Sequence, residues 1–297
     1  MSSASKTVAS SSTGMCCRTK RQKPNPRADC RCSAIAFLHD IGRRKMKLSD
    51  NTVFITGGGS GIGRALAEAL HKRNNKVIIA GRRRSQLDEV VAANPGIDAI
   101  ELDIADPASI SAVAAKLVAD YPDLNVVFNN AGVMQLDNAA GDMDEQTLLT
   151  HIHTNLLGPI RLTSALIEHL KRKERATILY NTSTLAFTPL APFAAYSATK
   201  AALHSYILSQ RFMLRDTAVK VQEIAPPWVG TGLVGEATDP RAMPLDRFIE
   251  GTLKALETDA EEVLVEEAKV FRNNAGPNEH AFVTELNTFM TKELASA

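Results

Sequence analysis

Eight consecutive residues, Thr56-Gly57-Gly58-Gly59-Ser60-Gly61-Ile62-Gly63, constrain what this chain can fold into more than any other stretch. They follow Val53-Phe54-Ile55, a short apolar run of β-branched and aromatic side chains that reads as a buried strand. A helical pattern carried by Leu66 and Leu70 comes next. Strand, glycine turn and helix in that order describe a dinucleotide site. Glycines let the backbone approach a pyrophosphate, and the helix start offers free N–H groups and a positive dipole end. A glycine run alone is equally a flexible loop; its place between strand and helix is what favours binding. The spacing is G-x-x-x-G-x-G, through Gly57, Gly61 and Gly63.

Further apolar runs at residues 77–80, 97–102, 124–128, 177–181, 221–225 and 262–265 read as strands. Helical patterns separate them, including one long run over 145–170 and another over 248–256. The chain is thus expected to be α/β, a single doubly wound parallel sheet of about seven strands with helices on both faces. From Arg272 onward the pattern is weak, and residues 232–250 read as a lid.

Charge divides the chain in two. Residues 1–48 hold 11 basic and 2 acidic side chains, whereas residues 49–297 hold 23 basic and 31 acidic ones. The acidic part argues against a nucleic-acid face. No apolar run reaches the ~18 residues needed to span a bilayer. All four cysteines (Cys16, Cys17, Cys30, Cys32) fall in the basic head, so the main domain has no disulfide framework, as in a reducing, cytoplasmic setting. Their spacings are not those of a zinc knuckle, and no metal is expected. Residues 1–48 read as a disordered basic extension ahead of a domain over 49–297. The serine-rich, acid-poor start resembles an organelle transit peptide, though no Arg-rich amphipathic helix is visible. Met46-Lys47-Leu48 leads straight into the first strand, so residues 1–45 are expected to be dispensable.

The chemistry centres on Tyr196-Ser197-Ala198-Thr199-Lys200. Four residues apart on a helix, the phenol and the ammonium share one face, and a fixed cation favours the phenolate. Three segments, 56–63, Asn129-Asn130-Ala131-Gly132 and 196–200, stand in an order and separation that resemble the short-chain dehydrogenase/reductase family over about residues 48–270. The resemblance implies a Rossmann-type oxidoreductase acting on a small-molecule carbonyl or alcohol, and a homodimer. It places Gly57, Gly61, Ile62, Gly63, Asn130, Tyr196 and Lys200 at the cofactor, Asp103 at the adenine amine, and Val229 with Thr231 at the carboxamide. It also makes Asn129 a tie between strands.

Several positions add detail. In NAD-selective sites an acid about 20 residues past the glycines accepts from the ribose. Here Gly81-Arg82-Arg83-Arg84 stands there, so NADP is expected over NAD, with Arg82 on the 2′-phosphate. Asp106-Pro107 fits a helix start, which leaves Asp103 for the nucleotide. Pro159 denies the Asn155 carbonyl its i+4 partner, and the resemblance gives that carbonyl a water. Nearby His151 and His153 read as packed or surface groups. Of Thr182-Ser183-Thr184, Ser183 matches the family spacing to Tyr196 and is expected to bond a substrate oxygen. Asn155, Ser183, Tyr196 and Lys200 form the expected catalytic set. Phe187, Leu190, Phe193, Trp228, Met134 and Leu136 are expected to make an apolar substrate wall. Pro227 stands where the family has glycine. With 225–227 and 240–245, it is similar to a subgroup named for D-alanine esterification of teichoic acid. An epimerase or dehydratase on the same fold, or a silent NADP-binding sensor or scaffold, are the alternatives.

Overall fold

The computed structural model describes residues 46–234, 237–274, 276 and 278–295. The expectations for the cysteines and for disorder or targeting in 1–45 lie outside the described residues. Seven parallel strands form one sheet: β1 (Thr52–Thr56), β2 (Lys76–Gly81), β3 (Asp98–Glu101), β4 (Leu124–Asn129), β5 (Ala176–Asn181), β6 (Val219–Ile224) and β7 (Glu262–Val263). Their order is β3-β2-β1-β4-β5-β6-β7, so the winding reverses between β1 and β4. Ligands in such sheets sit outside the carboxyl ends of the strands at that reversal. The doubly wound Rossmann-type architecture is as the sequence implied.

Strand residues alternate between two cores, as the pleat requires. Val53, Ile55, Val77, Ile79, Val126 and Phe128 face one side, packed by α1 (Gly61–His71), α2 (Arg84–Ala93), α7 (Leu245–Leu256) and α8 (Glu266–Arg272). Phe54, Ile78, Val127, Ile178 and Tyr180 face the other, packed by α3 (Pro107–Asp120), α5 (Gly158–Lys171) and α6 (Ala194–Leu214). Buried on both faces, the strands read as apolar runs rather than alternating ones. Met46 and Leu48 join the first core, so packing begins just upstream of position 49.

Three elements differ from expectation. The helix foreseen over 145–170 is three pieces: α4 (Glu145–His151), a π-helical segment Ile152–Leu157, and α5. Pro159 has no N–H for the usual i+4 bond, and the wider turn absorbs the gap, with Gly158 N–H reaching the His153 carbonyl. Strand β7 is only two residues long, paired with Glu223 and Ile224. The tail forms α9 (Glu279–Ala295), whose Phe282 meets Phe271 of α8 edge-on at 6.1 Å. Among the described residues, no helix is long and apolar enough to cross a membrane.

Candidate active site

A cleft of about 450 Å³ opens along the carboxyl ends of the strands, running from the glycine turn past Arg82, Asn130 and Gly132 to Tyr196 and Lys200. A larger depression of about 830 Å³ lies at the amino ends, bordered by Asp50, Asn74, Asp123 and Arg175. The glycine turn and the Tyr196–Lys200 pair border the strand-end cleft and not this depression, so the strand-end cleft is the candidate.

The glycines build one end. Gly57 and Gly61 have φ of +67° and +53°, values that a side chain would strain. A Cβ on Gly63 would stand 2.3 Å from the Gly57 carbonyl oxygen, so α1 can pack this close only without one. The first turn of α1 carries no acid, leaving its N–H end attractive to an anion. Ile62 lines the cleft beside it, and Thr231 packs across it against Gly61. Val229 behaves differently: it is buried in the core and bridges to Met243, outside the cleft lining.

Arg82 and Arg83 follow β2 as exposed cleft residues, while Arg84 turns away to pair with Asp88 at 2.8 Å. One Asp103 oxygen accepts from Ala105 N–H at 2.9 Å; its neighbours Leu102 and Ile104 border the cleft. Asp106 caps α3, accepting from Ala108 and Ser109, as Asp106-Pro107 implied. Asn130 borders the cleft but spends its amide on the protein. Its Nδ2 donates to the Thr56 carbonyl at 2.9 Å and its Oδ1 accepts from Asn181 at 3.0 Å. Asn129 donates to Thr163 at 3.1 Å, tying β4 to α5.

Asn155 sits in the π-helical segment and is buried. Its side chain clamps Val133, donating to the carbonyl at 2.8 Å and accepting from the N–H at 2.9 Å. Gly132 lies between Asn155 and α6: a Cβ there would be 3.3 Å from Asn155 Oδ1 and 3.7 Å from Lys200 Nζ. The π turn, the loop after β4 and α6 therefore meet at one point.

Tyr196 and Lys200 lie on one face of α6, with the ammonium 5.5 Å from the phenol ring centre. Lys200 Nζ donates to the Asn181 carbonyl at 2.7 Å. Ser183 interacts with the phenol through its side chain. Its hydroxyl also accepts from Leu185 N–H at 3.1 Å, starting the 3-10 turn Thr184–Ala186. The triple hydroxyl resolves by partner: Thr182 donates to Glu223 at 2.6 Å and is turned from the cleft. Burial pushes Tyr196 up to about 12, with Ser183 acting against it. Burial lowers Lys200 to about 8, and Glu223 opposes that shift. The expectation that Lys200 lowers the phenol pKa is therefore not met by the protein alone. Desolvation dominates, and Ser183 is the group that opposes it.

The apolar wall differs in part. Leu190 and Phe193 cluster with Tyr196, and Met134 packs against them; of these three expected wall residues, only Met134 borders the cleft. Leu185, Val234 of the expected lid, and Met290 of α9 complete the cluster. Phe187 instead meets His204 edge-on at 5.0 Å, Trp228 lies under Arg241 at 5.3 Å, and Leu136 is 69% exposed. Phe282, Leu286, Phe289 and Met290 recur at helical spacing, a pattern that could have revealed α9. Asp137 was also missed. It accepts from Ala194 and Ala195 N–H at 3.0 and 2.7 Å, capping α6, whose own N-cap Phe193 offers no side-chain bond. His151 is packed, as read: Nδ1 donates to Thr147 and Nε2 accepts from Gln135, with the ring edge-on to Tyr196 at 6.4 Å.

Residues 51–242 match the family model described as short chain dehydrogenase. The chain belongs to that family. An uncharacterised oxidoreductase of Bacillus subtilis, DltE, is 36% identical over 249 residues, which is 82% of this chain and 99% of that protein. This agrees with the subgroup resemblance. A short-chain dehydrogenase from Burkholderia cenocepacia in complex with NADP has a TM-score of 0.72 at 23% identity, covering 81% of this chain and 99% of the other. One from Burkholderia phymatum in complex with NAD has a TM-score of 0.66 at 21% identity, covering 76% and 93%. These two structures share the fold of this short-chain dehydrogenase. They hold different cofactors, so the choice rests on the chain's own residues.

Proposed function

We propose that this chain is an NADP-dependent oxidoreductase that moves a hydride between the nicotinamide and an apolar carbonyl or alcohol, acting as a homodimer in the cytoplasm. The observation that carries it is the placing of Tyr196 and Lys200 on one face of α6 at the end of a cleft that begins on the glycine turn, with Ser183 acting on the phenol from beside it. The residues present fit the dinucleotide. The α1 start is free of acids, Arg82 and Arg83 are exposed cleft cations, and Asn181 Oδ1 is buried without a hydrogen-bond partner among the described residues.

Gly57, Gly61, Ile62 and Gly63 would hold the pyrophosphate, Arg82 the 2′-phosphate, Asp103 the adenine amine, and Asn130 and Thr231 the nicotinamide side. Val229 contributes from behind, through the core. When bound, the cofactor supplies or accepts the hydride. Ser183 orients the substrate oxygen and stabilises charge developing there. Tyr196, kept neutral by burial, donates its proton to that oxygen. Lys200 steadies the phenolate left behind, and Asn155 connects it to a water. Met134 of the cleft lining, backed by the Leu190, Phe193 and Leu185 cluster around Tyr196, favours an apolar substrate over a charged one.

The homodimer gains support from α6, where Leu208, Phe212 and Met213 are 45%, 63% and 74% exposed. Turnover of a panel of ketones and aldehydes, run with NADPH and with NADH, tests the assignment. Oxidation of NADPH in preference to NADH is expected. Tight NADPH binding with no oxidation of any compound would point to a sensor instead.

A further inference from the structure

Among the described residues, Lys200 and Glu223 are the only buried side chains of the Lys, Arg, Asp and Glu types. Lys200 is 3% exposed and Glu223 is 0% exposed. A buried charge is costly unless it is paired and hydrogen-bonded. Each oxygen of Glu223 has a partner: Oε1 accepts from Thr182 Oγ1 at 2.6 Å, and Oε2 from His204 Nδ1 at 2.7 Å. Thr182 immediately precedes Ser183, and its N–H also bonds the Ile224 carbonyl at 2.8 Å. His204 stands one helical turn beyond Lys200 on α6, and its 2.7 Å bond to Glu223 places the β6 carboxylate beside that face of the helix.

We propose that Glu223 is a positioning residue for the reaction, the buried counter-charge that keeps Lys200 protonated inside the fold. The idea rests on the assignment of Lys200 to the proton-transfer set. Tyr196 and Ser183 need an ammonium beside them, and a neutral lysine supplies none. Glu223 acts on Lys200 in the sense that favours the ammonium. The other groups around the carboxylate are accounted for. Thr182 of β5 and His204 of α6 bond it. Arg272 of α8 feels its charge but grips Glu262 of β7 through two bonds, at 2.7 and 3.0 Å. Arg211 of α6 bonds the Val221 and Glu261 carbonyls. The donor atoms of His204, Glu223 and Glu262 lie within 4.8 Å of one another, which resembles a metal cluster. With Glu262 held by Arg272 and Glu223 held by Thr182 and His204, the carboxylates are already spoken for.

The test needs no substrate. Full-length protein carrying carbon-labelled lysine is titrated by NMR, with the Lys200 resonance identified by its loss in Lys200→Arg. Glu223→Gln keeps the shape and removes the charge, and the Lys200 midpoint should fall by about one pH unit or more. Glu223→Asp should hold it near the wild-type value. An unchanged midpoint in Glu223→Gln overturns the proposal, whatever the variant's melting temperature. Should Glu223→Gln not fold, Glu223→Met, neutral and of similar length, takes its place. The Lys200 midpoint should fall there too, and an unchanged one overturns the proposal. Turnover without this coupling removes only the counter-charge; coupling without turnover removes only the redox assignment.

Discussion

Lys200 Nζ meets the carbonyl of Asn181 at 2.7 Å, which fixes the only buried lysine of the described residues two positions ahead of Ser183 on the chain that leaves β5. The ammonium is thus placed by a strand end rather than by Tyr196, one turn before it on α6. Helix and sheet are cross-linked where the acid–base chemistry is assigned, and the lysine's titration becomes a property of the fold.

That property has a sign. The folded pKa of Lys200, about 8, lies below its ordinary value of 10.5. Its contribution to stability is therefore present above 10.5 and is lost as pH falls through 8. Thermal unfolding of the cofactor-free protein, compared with Lys200→Arg, which stays charged, should show the wild type gaining roughly 3 kcal/mol as pH rises across that window. A constant difference between the two proteins would contradict the buried titration.

Asn155 clamps Val133 by two bonds, at 2.8 and 2.9 Å, from inside a π turn. Asn155→Ala leaves both backbone groups of Val133 short of a partner, at a cost of about 1–3 kcal/mol. Denaturant unfolding should show that loss, and the loop bearing Gly132 and Met134 should exchange its amide hydrogens faster. Wild-type stability and protection in the variant would mean that the clamp is idle.

Asp137 lies 57 and 58 residues before the two N–H groups it caps. Asp137→Ala should lower stability by about 0.5–2 kcal/mol and reduce turnover through Tyr196, which sits in the first turn of the uncapped helix. Unaltered stability and turnover together would show that Phe193 and its neighbours start α6 unaided.

Arg82 should carry the choice of cofactor. Arg82→Asp replaces a cation with a charge that repels the 2′-phosphate and accepts from a free ribose hydroxyl. The ratio of affinities for NADPH and NADH, read by fluorescence titration, should move toward NADH by about tenfold or more. A preserved preference for NADPH would assign the phosphate to other groups.

The fold was legible because its main determinants are local. Buried parallel strands are short β-branched runs, and the glycine turn has one structural use between a strand and a helix. Tyr196 and Lys200 were legible for the same reason, since a spacing of four on a helix is geometry already. What escaped depended on partners distant in sequence. Nothing near Asp137 marks it as the cap of a helix that starts at Ala194. Phe187 looked like substrate wall until His204 and Arg272 claimed its ring. The effect of Lys200 on Tyr196 was misjudged because burial is set by the whole fold, and both groups lose their water together. The π segment was half visible: Pro159 announced an interruption, but not that one wider turn would absorb it.

The most direct measurement compares wild type with Tyr196→Phe in NADPH oxidation by a panel of carbonyl compounds, with NADPH affinity measured in parallel. Wild type should turn over at least one apolar ketone or aldehyde. The variant should bind NADPH about as tightly and lose roughly 10²–10⁴-fold in kcat, the contribution of a positioned proton donor. Equal turnover by the two proteins would contradict the assignment of Tyr196, and with it the chemistry built on Ser183 and Lys200.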